Sequence, residues 1–220
     1  MRVVLHFCTR RGAAGPLGEM LRAEAQKLRR ETPVGTEILF LSRIPDDPFG
    51  PVTRLQFTLD IRLSGEDAGL TLAGLDGLGE RLGNVVHADL STALVGEDHV
   101  FLEPGDAPLR YQYLMRRNAE FSHDEYVDRY VKVHSQFGRK TPGIRGYVQF
   151  HVDPERSRKA AAGVGVGIWA IDSISELHLD SVEEFLAAVS KSSVGREAIA
   201  DEETFVDREN SFDFCSNVER

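Results

Sequence analysis

The stretch LRYQYLMRRNAEFSHDEYVDRYVKVHSQFGRKTPGIRGYVQFHVD, residues 109–153, decides the fold, because it predicts a strand, a capped helix and a second strand in that order. Ser122 stands three residues before Glu125, which is the spacing of a reciprocal capping box at the start of a helix. Apolar side chains then follow at helical spacing, and His134 lies on the same stripe. These side chains are Tyr126, Val127, Tyr130, Val133 and Phe137.

The rest of the chain repeats this order of elements on both sides. Upstream, the sequence patterns predict strands at 3–8, 36–43, 54–63 and 98–103 and helices at 17–32 and 70–82. Downstream, they predict a loop at 155–162, strands at 168–179 and 211–218, and a helix that a second capping box begins at Ser181 and Glu184. The chain therefore has the order βαββαβ twice, joined by a short linker at 104–108.

Each βαββαβ unit has the order of the ferredoxin-like fold, in which two helices cover one face of an antiparallel sheet. The other face must be buried against something else. We therefore expect an α+β protein in which a unit at 1–104 and a unit at 109–220 bury their bare faces against each other in an intramolecular barrel. The first unit is expected to be structural and the second to carry the pocket. Two independent domains are the alternative.

Three motifs in the second half carry a resemblance to a known family. They are R-R-x(4)-S-H-D-E-Y at 116–126, V-H-S-Q-F at 133–137 and P-G-I-R-G-Y-V-Q-F-H-V at 142–152. With the segments 171–177, 180–185, Asp201 and 205–207, they resemble the EthD domain of the dimeric α/β-barrel superfamily. The resemblance implies that two sheets pair into a barrel, as relatives do, usually by dimerising. The first hundred residues show no motif of this family.

Composition excludes several classes of protein. The chain of 220 residues carries a formal net charge of −9, which disfavours binding to nucleic acid or to an anionic membrane. No apolar run approaches the length of a membrane span, and no secretory leader is evident. Two cysteines are too few for a disulfide framework, so both are expected to be buried. We expect a cytoplasmic protein whose partner is a small molecule, and a homodimer remains open.

The candidate site is built around histidines of the second half. On the strand at 146–152, the polar face should meet His134 of the preceding helix, and the apolar face should line the barrel interior. We expect His134 and His151 to converge on one pocket as catalytic residues, since imidazole can both take and give a proton near neutral pH. The residues expected to bind substrate are Tyr111, Tyr113, Tyr147, Gln149, Glu176 and His178.

For Glu176, the resemblance adds a match to an acidic position of the family, and it also places histidines at the positions of His134 and His151. The seven histidines form no zinc motif, and the segment GVGVG at 163–167 is not followed by a helix, so it does not predict dinucleotide binding. We therefore expect no metal and no cofactor.

The resemblance and the histidines together favour a cofactor-independent enzyme of the lyase or isomerase type. It would act on a carbonyl-bearing aromatic or polyketide-like molecule by cyclisation, decarboxylation or dehydration. A cofactor-free monooxygenase of quinol-type substrates, a haem protein with a histidine ligand, and a non-catalytic ligand-binding or assembly module are the alternatives.

Overall fold

The computed structural model describes residues 1–32, 35–50, 55–63 and 73–220. Within them, the first half forms β1 (Arg2–Cys8), α1 (Ala14–Glu31), β2 (Glu37–Arg43), β3 (Leu55–Arg62), α2 (Leu78–Leu82) and β4 (Thr92–Leu102). The second half begins with β5 (Leu109–Met115), α3 (His123–Arg129), a π-helical turn (Tyr130–His134), α4 (Ser135–Lys140) and β6 (Gly146–Val152). It ends with α5 (Pro154–Val164), β7 (Ser173–Leu179), α6 (Val182–Val189), α7 (Val194–Glu202) and β8 (Phe212–Glu219).

These strands close into an antiparallel barrel in the order β1-β3-β2-β8-β5-β7-β6-β4. Each half contributes one ferredoxin-like sheet, β4-β1-β3-β2 and β8-β5-β7-β6. The two sheets are joined along both seams, where β2 pairs with β8 and β4 pairs with β6. The predicted α+β barrel of two tandem ferredoxin-like units is therefore confirmed, and the alternative of two independent domains is wrong.

The capping predictions explain where two helices begin. The hydroxyl of Ser122 accepts the Glu125 backbone N–H at 3.3 Å, and the Glu125 carboxylate accepts the Ser122 N–H at 2.8 Å, so this capping box is confirmed. Ser181 accepts the backbone N–H of Glu184 at 3.3 Å, but its hydroxyl donates to Glu183. The second capping box is therefore formed in one direction, through the Ser181 hydroxyl, while the Glu184 carboxylate is not observed to accept the Ser181 backbone N–H.

Several predicted boundaries were wrong. The expected loop at 155–162 is helix α5, which Asp153 caps by accepting the N–H groups of residues 155 and 156. Its Ala161 and Val164 pack into the core of the first half. Strand β4 begins six residues before the predicted start, and β7 begins at Ser173. The helix predicted at 70–82 is observed as α2, and 70–72 lie outside the described residues, as does Arg54 of the predicted strand at 54–63.

The barrel interior is strongly polar, contrary to the expectation of an apolar interior. Val148, Phe150 and Val152 do point inward, but they share the interior with buried charges. Three guanidinium groups meet three carboxylates there: Arg2, Arg62 and Arg110 lie against Asp60, Asp98 and Glu176. The opposite charges balance, which offsets the desolvation cost of burying each one.

Ionisation inside the barrel follows from this pairing. Burial alone would raise the pKa of Asp60, but Arg2, Arg62 and Arg110 hold it well below its usual value. Burial acts in the same direction on Glu176, and Arg110 and Arg2 lower its pKa to about 2. The interior is therefore filled by a neutralised ion cluster.

Within the described residues, no helix has the length and apolar character that would let it cross a bilayer.

Candidate active site

A cavity of about 400 Å³ lies outside the barrel, between the outer face of β5 and β7 and the helices of the second half. Four of the predicted site residues line it: Tyr111, Tyr113, His134 and Tyr147. Strand alternation places Tyr111 and Tyr113 on the face of β5 that turns away from the ion cluster. The cavity volume lies within the range of small-molecule sites.

His134 is the last residue of the π-helical turn, a local irregularity that is frequent at functional sites. Its Nδ1 lies 2.9 Å from Oδ2 of Asp201, on α7. Because a carboxylate oxygen accepts, Nδ1 carries the proton and Nε2 has an open lone pair. Burial lowers the pKa of His134, although the Asp201 carboxylate acts in the opposite direction. The imidazole is therefore neutral at pH 7 and can act as a base.

Glu202 is a cavity residue that the sequence argument did not identify. Its Oε1 lies 3.6 Å from Nε2 of His134, and its other oxygen contacts Arg208. Burial raises the pKa of Glu202 to about 7; Arg208 acts against this rise, and Asp201 and Asp213 add to it. A carboxyl group with this pKa can give or take a proton at neutral pH. In the sequence it lies within an acidic run, D-E-E at 201–203, and nothing there marks it as buried.

The tyrosines supply hydroxyl groups to the same cavity. Burial raises the pKa of Tyr113, and it raises the pKa of Tyr147 to about 12. The Tyr111 hydroxyl donates to Asp213 at 2.7 Å, and burial raises the pKa of Tyr111 as well. All three phenols are therefore protonated at neutral pH. Of the three, the Tyr111 hydroxyl already donates its hydrogen to the Asp213 carboxylate.

His151 does not meet His134, so the predicted convergence of the two imidazoles is wrong. The ring of Tyr130 stands between them, with centroids 5.6 Å from His134 and 5.7 Å from His151. His151 instead borders a second, more open cavity with His99 and His123. Burial, followed by the neighbouring His99 and His123, lowers the pKa of His151 to about 3. Gln149 is fully buried between the two sides and lines neither cavity.

Glu176 and His178 lie in the barrel interior, so their predicted place in the pocket is wrong. Side chains alternate along β7, and it is Ser175 and Leu177 that face the cavity. Glu176 belongs to the interior ion cluster. Burial, followed by the nearby Arg110, lowers the pKa of His178 to about 3, so it is neutral. Glu176 and His178 share one face of β7, as expected, but that face points into the barrel and not toward the cavity.

The same geometry bears on the binding of a metal ion or a haem. Among residues 1–32, 35–50, 55–63 and 73–220, no group of three or more His, Cys, Asp or Glu side chains has the geometry to hold a metal ion. For haem, Nε2 of His134 is a nitrogen that could take an axial position. The Glu202 carboxyl lies 3.6 Å from this nitrogen, so a haem iron and a substrate carbon alike would share the space beside Nε2 with it.

Several solved structures share the fold of this chain. The chain is similar to the crystal structure of an anthrone oxidase-like protein, with a TM-score of 0.67 and 16% identity, covering 100% of this chain and 91% of that chain. A monooxygenase-like protein from Lactobacillus acidophilus NCFM has a TM-score of 0.54 at 10% identity, covering 99% and 92%. A mutant chlorite dismutase from Candidatus Nitrospira defluvii has a TM-score of 0.54 at 10% identity, covering 100% and 91%.

These similarities show the fold. No curated protein matches the chain. The model of the EthD domain family matches residues 118–209, which contain the motifs quoted above except Arg116 and Arg117, and both members of the His134–Asp201 pair. The resemblance predicted from the sequence is thereby confirmed for residues 118–209, which match the EthD domain family within a chain that has the fold of the dimeric α/β-barrel proteins.

Proposed function

We propose that this chain is a cofactor-independent enzyme that removes a proton next to the carbonyl group of an aromatic or polyketide-like small molecule. The observation that carries the proposal is the His134–Asp201 pair, in which a buried, neutral imidazole is oriented by a carboxylate and opens its Nε2 toward a cavity. A base held in this way by a third group is the arrangement that proton abstraction needs.

The first step is transfer of a proton from the carbon next to the carbonyl to Nε2 of His134. The Asp201 carboxylate stabilises the imidazolium that forms. Negative charge moves to the carbonyl oxygen, which becomes an enolate or phenolate. Protonated phenols of Tyr113 and Tyr147 line the cavity and can donate hydrogen bonds to that oxygen. Glu202, with its raised pKa, can return a proton at a second position.

An enolate that is protonated at another position gives isomerisation, and one that expels a β-hydroxyl group, which leaves as water, gives dehydration. An enolate that attacks a second carbonyl group gives cyclisation. Decarboxylation forms the same kind of enolate by loss of CO₂ and ends with its protonation. This is the lyase or isomerase chemistry that we favour. Every proton in this scheme passes between the substrate and the side chains of the cavity, so the scheme uses no bound cofactor. The cavity of about 400 Å³ suits a substrate of a few rings.

Oxygenation is the second candidate, because the similar structures include an anthrone oxidase-like and a monooxygenase-like protein. The same carbanion can react with O₂: a methylene group and one O₂ become a carbonyl group and one water, without an external reductant. Anthrone, whose methylene group is acidic, is a suitable probe for both candidates. Oxygen uptake with anthrone, measured with an oxygen electrode, would favour the oxygenase, and turnover without uptake would favour the lyase or isomerase.

The two halves have different roles in this proposal. The unit at 109–220 carries the catalytic residues, whereas the unit at 1–104 supplies the second sheet of the barrel. Phe49 of the first half also lines the cavity and stacks edge-on against Tyr111, with ring centroids 4.8 Å apart. The first half is therefore proposed to close the pocket as well. A homodimer stays a prediction, to be tested by light scattering.

A variant of the proposed base tests the function directly. We expect His134→Gln to abolish turnover of anthrone-type ketones, while His87→Gln, outside the cavity, retains it. Unchanged turnover in His134→Gln would contradict the proposal. Tight binding of ligands without any turnover would support the alternative of a non-catalytic module, and a Soret band after haem addition that is lost in His134→Gln would support haem binding.

A further inference from the structure

A continuous chain of hydrogen bonds runs from the cavity to the opposite side of the helix layer. The Gln149 Nε2 donates to the Tyr147 hydroxyl at 2.5 Å and to the backbone carbonyl of Tyr130 at 3.3 Å. The Gln149 Oε1 lies 3.1 Å from Nε2 of His151. The Nδ1 of His151 lies 3.1 Å from Nδ1 of His99. Tyr147 lines the proposed active site, and His99 borders the open cavity on the far side.

The positions of the protons along this chain follow from one group that can only accept a hydrogen bond. The backbone carbonyl of Tyr130 is an acceptor, so the amide nitrogen of Gln149 must face it and the amide oxygen must face His151. Nε2 of His151 therefore carries the proton. In the neutral ring its Nδ1 then has a lone pair, and it accepts from Nδ1–H of His99.

The same assignment determines what Tyr147 does. Gln149 donates to the phenol oxygen, so that oxygen is engaged as an acceptor. The hydroxyls of Tyr130 and Ser175 also hydrogen-bond with Tyr147, and a substrate oxygen in the cavity would compete with them for the phenol hydrogen. The ring cannot move away, because it packs directly on Gly138 of α4, where a Cβ would collide with it. Tyr147 and Gln149 are 1% and 0% exposed, so these bonds are shielded from bulk solvent.

We propose that Gln149 and His151 are positioning residues, which hold the Tyr147 hydroxyl as a hydrogen-bond donor to the oxygen where negative charge develops. This inference rests on the proposed function and goes beyond it. It gives His151 a role other than the catalytic one predicted from the sequence: His151 fixes the Gln149 amide, and Gln149 fixes Tyr147. The donor acts on the anion more than on the neutral substrate, and it is already oriented before the reaction begins.

The first test needs no variant. In ¹⁵N-labelled protein, the nitrogen chemical shifts of His151 distinguish a protonated ring nitrogen from one with a lone pair. We expect Nε2 to be protonated and Nδ1 unprotonated at pH 7. The reverse tautomer, or a doubly protonated ring, would overturn the proposal, since the amide of Gln149 would then have to turn its nitrogen away from Tyr147.

The second test measures the effect on a bound anion. The probe is 4-nitrophenol, whose absorbance reports its ionisation, at saturating protein. We expect Gln149→Leu and Tyr147→Phe each to weaken binding of the phenolate form about five- to tenfold, with a smaller effect on the neutral phenol. Gln149→Leu should also lower kcat with anthrone more than it raises KM. Equal losses for both forms of the probe would reduce Gln149 to a packing role and overturn the proposal.

Failure of this inference can be separated from failure of the proposed function. If His134→Gln abolishes turnover but Gln149→Leu leaves phenolate binding and kcat unchanged, the role of His134 as the base is supported and the positioning role of Gln149 is contradicted. If the wild-type cavity binds neither form of 4-nitrophenol and His134→Gln has no effect, the proposed function itself fails, and the positioning role fails with it.

Discussion

The Nδ1 of His134 lies 2.9 Å from the Oδ2 of Asp201. This contact joins two helical segments of the second half that lie 67 residues apart in the sequence. Asp201 is held from the other side by Arg129, whose Nη2 donates to Oδ1 at 2.6 Å. Arg129 therefore holds the Asp201 carboxylate in the position from which it accepts the His134 N–H. The orientation of His134, and the tautomer that opens its Nε2, both follow from this pair.

Asp201→Asn should change the tautomer of His134 without removing the ring. An amide can present N–H to Nδ1, which would move the imidazole proton to Nε2 and leave no base in the cavity. We expect kcat with anthrone to fall about tenfold or more. Asp128→Asn is the matched control, because Asp128 is exposed and pairs with Lys132 on the same helical segment. Equal activity of Asp201→Asn and wild type would contradict the assigned tautomer.

Glu202 should make the stability of the protein depend on pH. Its pKa is raised from 4.5 to about 7 in the folded state, so the folded state holds a proton that the unfolded state releases. Its stabilising contribution is complete below pH 4.5 and is lost as the pH rises to 7, by about 3 kcal/mol. Arg208, Asp201, Asp213 and His134 face this carboxyl group.

Glu202→Gln removes that titration. Urea unfolding of variant and wild type at pH 4.5 and pH 7 measures it. The free energy of unfolding of the variant, relative to wild type, should increase between the two pH values. A constant difference would mean that Glu202 ionises normally in the folded protein.

The interior ion cluster should be sensitive to loss of a single charge. Arg110→Met leaves Asp60 and Glu176 with one cation fewer in a buried site, and we expect a loss of about 3–5 kcal/mol in the free energy of unfolding. Lys159→Met breaks an exposed ion pair with Glu155 on α5, and it should cause no measurable change. Similar denaturation midpoints for Arg110→Met and wild type would show that the cluster is hydrated.

Gly138 should tolerate no side chain. A methyl group at this position would collide with the Tyr147 ring, so Gly138→Ala should cost about 1–3 kcal/mol and displace the phenol from the cavity. Gly15→Ala in α1 meets no atom within 4 Å and should cost nothing, since alanine favours the helix. Thermal unfolding compares the two variants. A neutral Gly138→Ala with unchanged kcat would show that the ring position is not tightly fixed.

Much of the fold was predictable from the sequence because its signals are local. Strand alternation, two helix starts and the repeated order of elements lead to the tandem barrel. The side of each strand that faces inward was not predictable. On β3, Thr58 and Asp60 alternate with apolar residues, which is the pattern of side chains that face solvent. Both are buried in the structure, because the second sheet covers that face. Helix α5 was missed because its run of charged and small residues resembles a loop.

The candidate site was predicted in part. Four of its residues, Tyr111, Tyr113, His134 and Tyr147, line the cavity, because each lies on the face that alternation or helical spacing gave it. The rest depended on contacts between distant segments. Tyr130 separates His151 from His134, and burial, with Asp201 and Asp213 acting in the same direction, gives Glu202 its raised pKa. Neither effect leaves a pattern in the sequence.

The central claim is that His134 removes a proton from a carbon next to a carbonyl group. Exchange of the methylene protons of anthrone in D₂O under anaerobic conditions, followed by NMR, measures this step apart from any later chemistry. The account predicts that wild-type protein accelerates exchange well above the buffer rate and that His134→Gln returns it to that rate. Exchange that the protein does not accelerate, or acceleration that survives in His134→Gln, would contradict it.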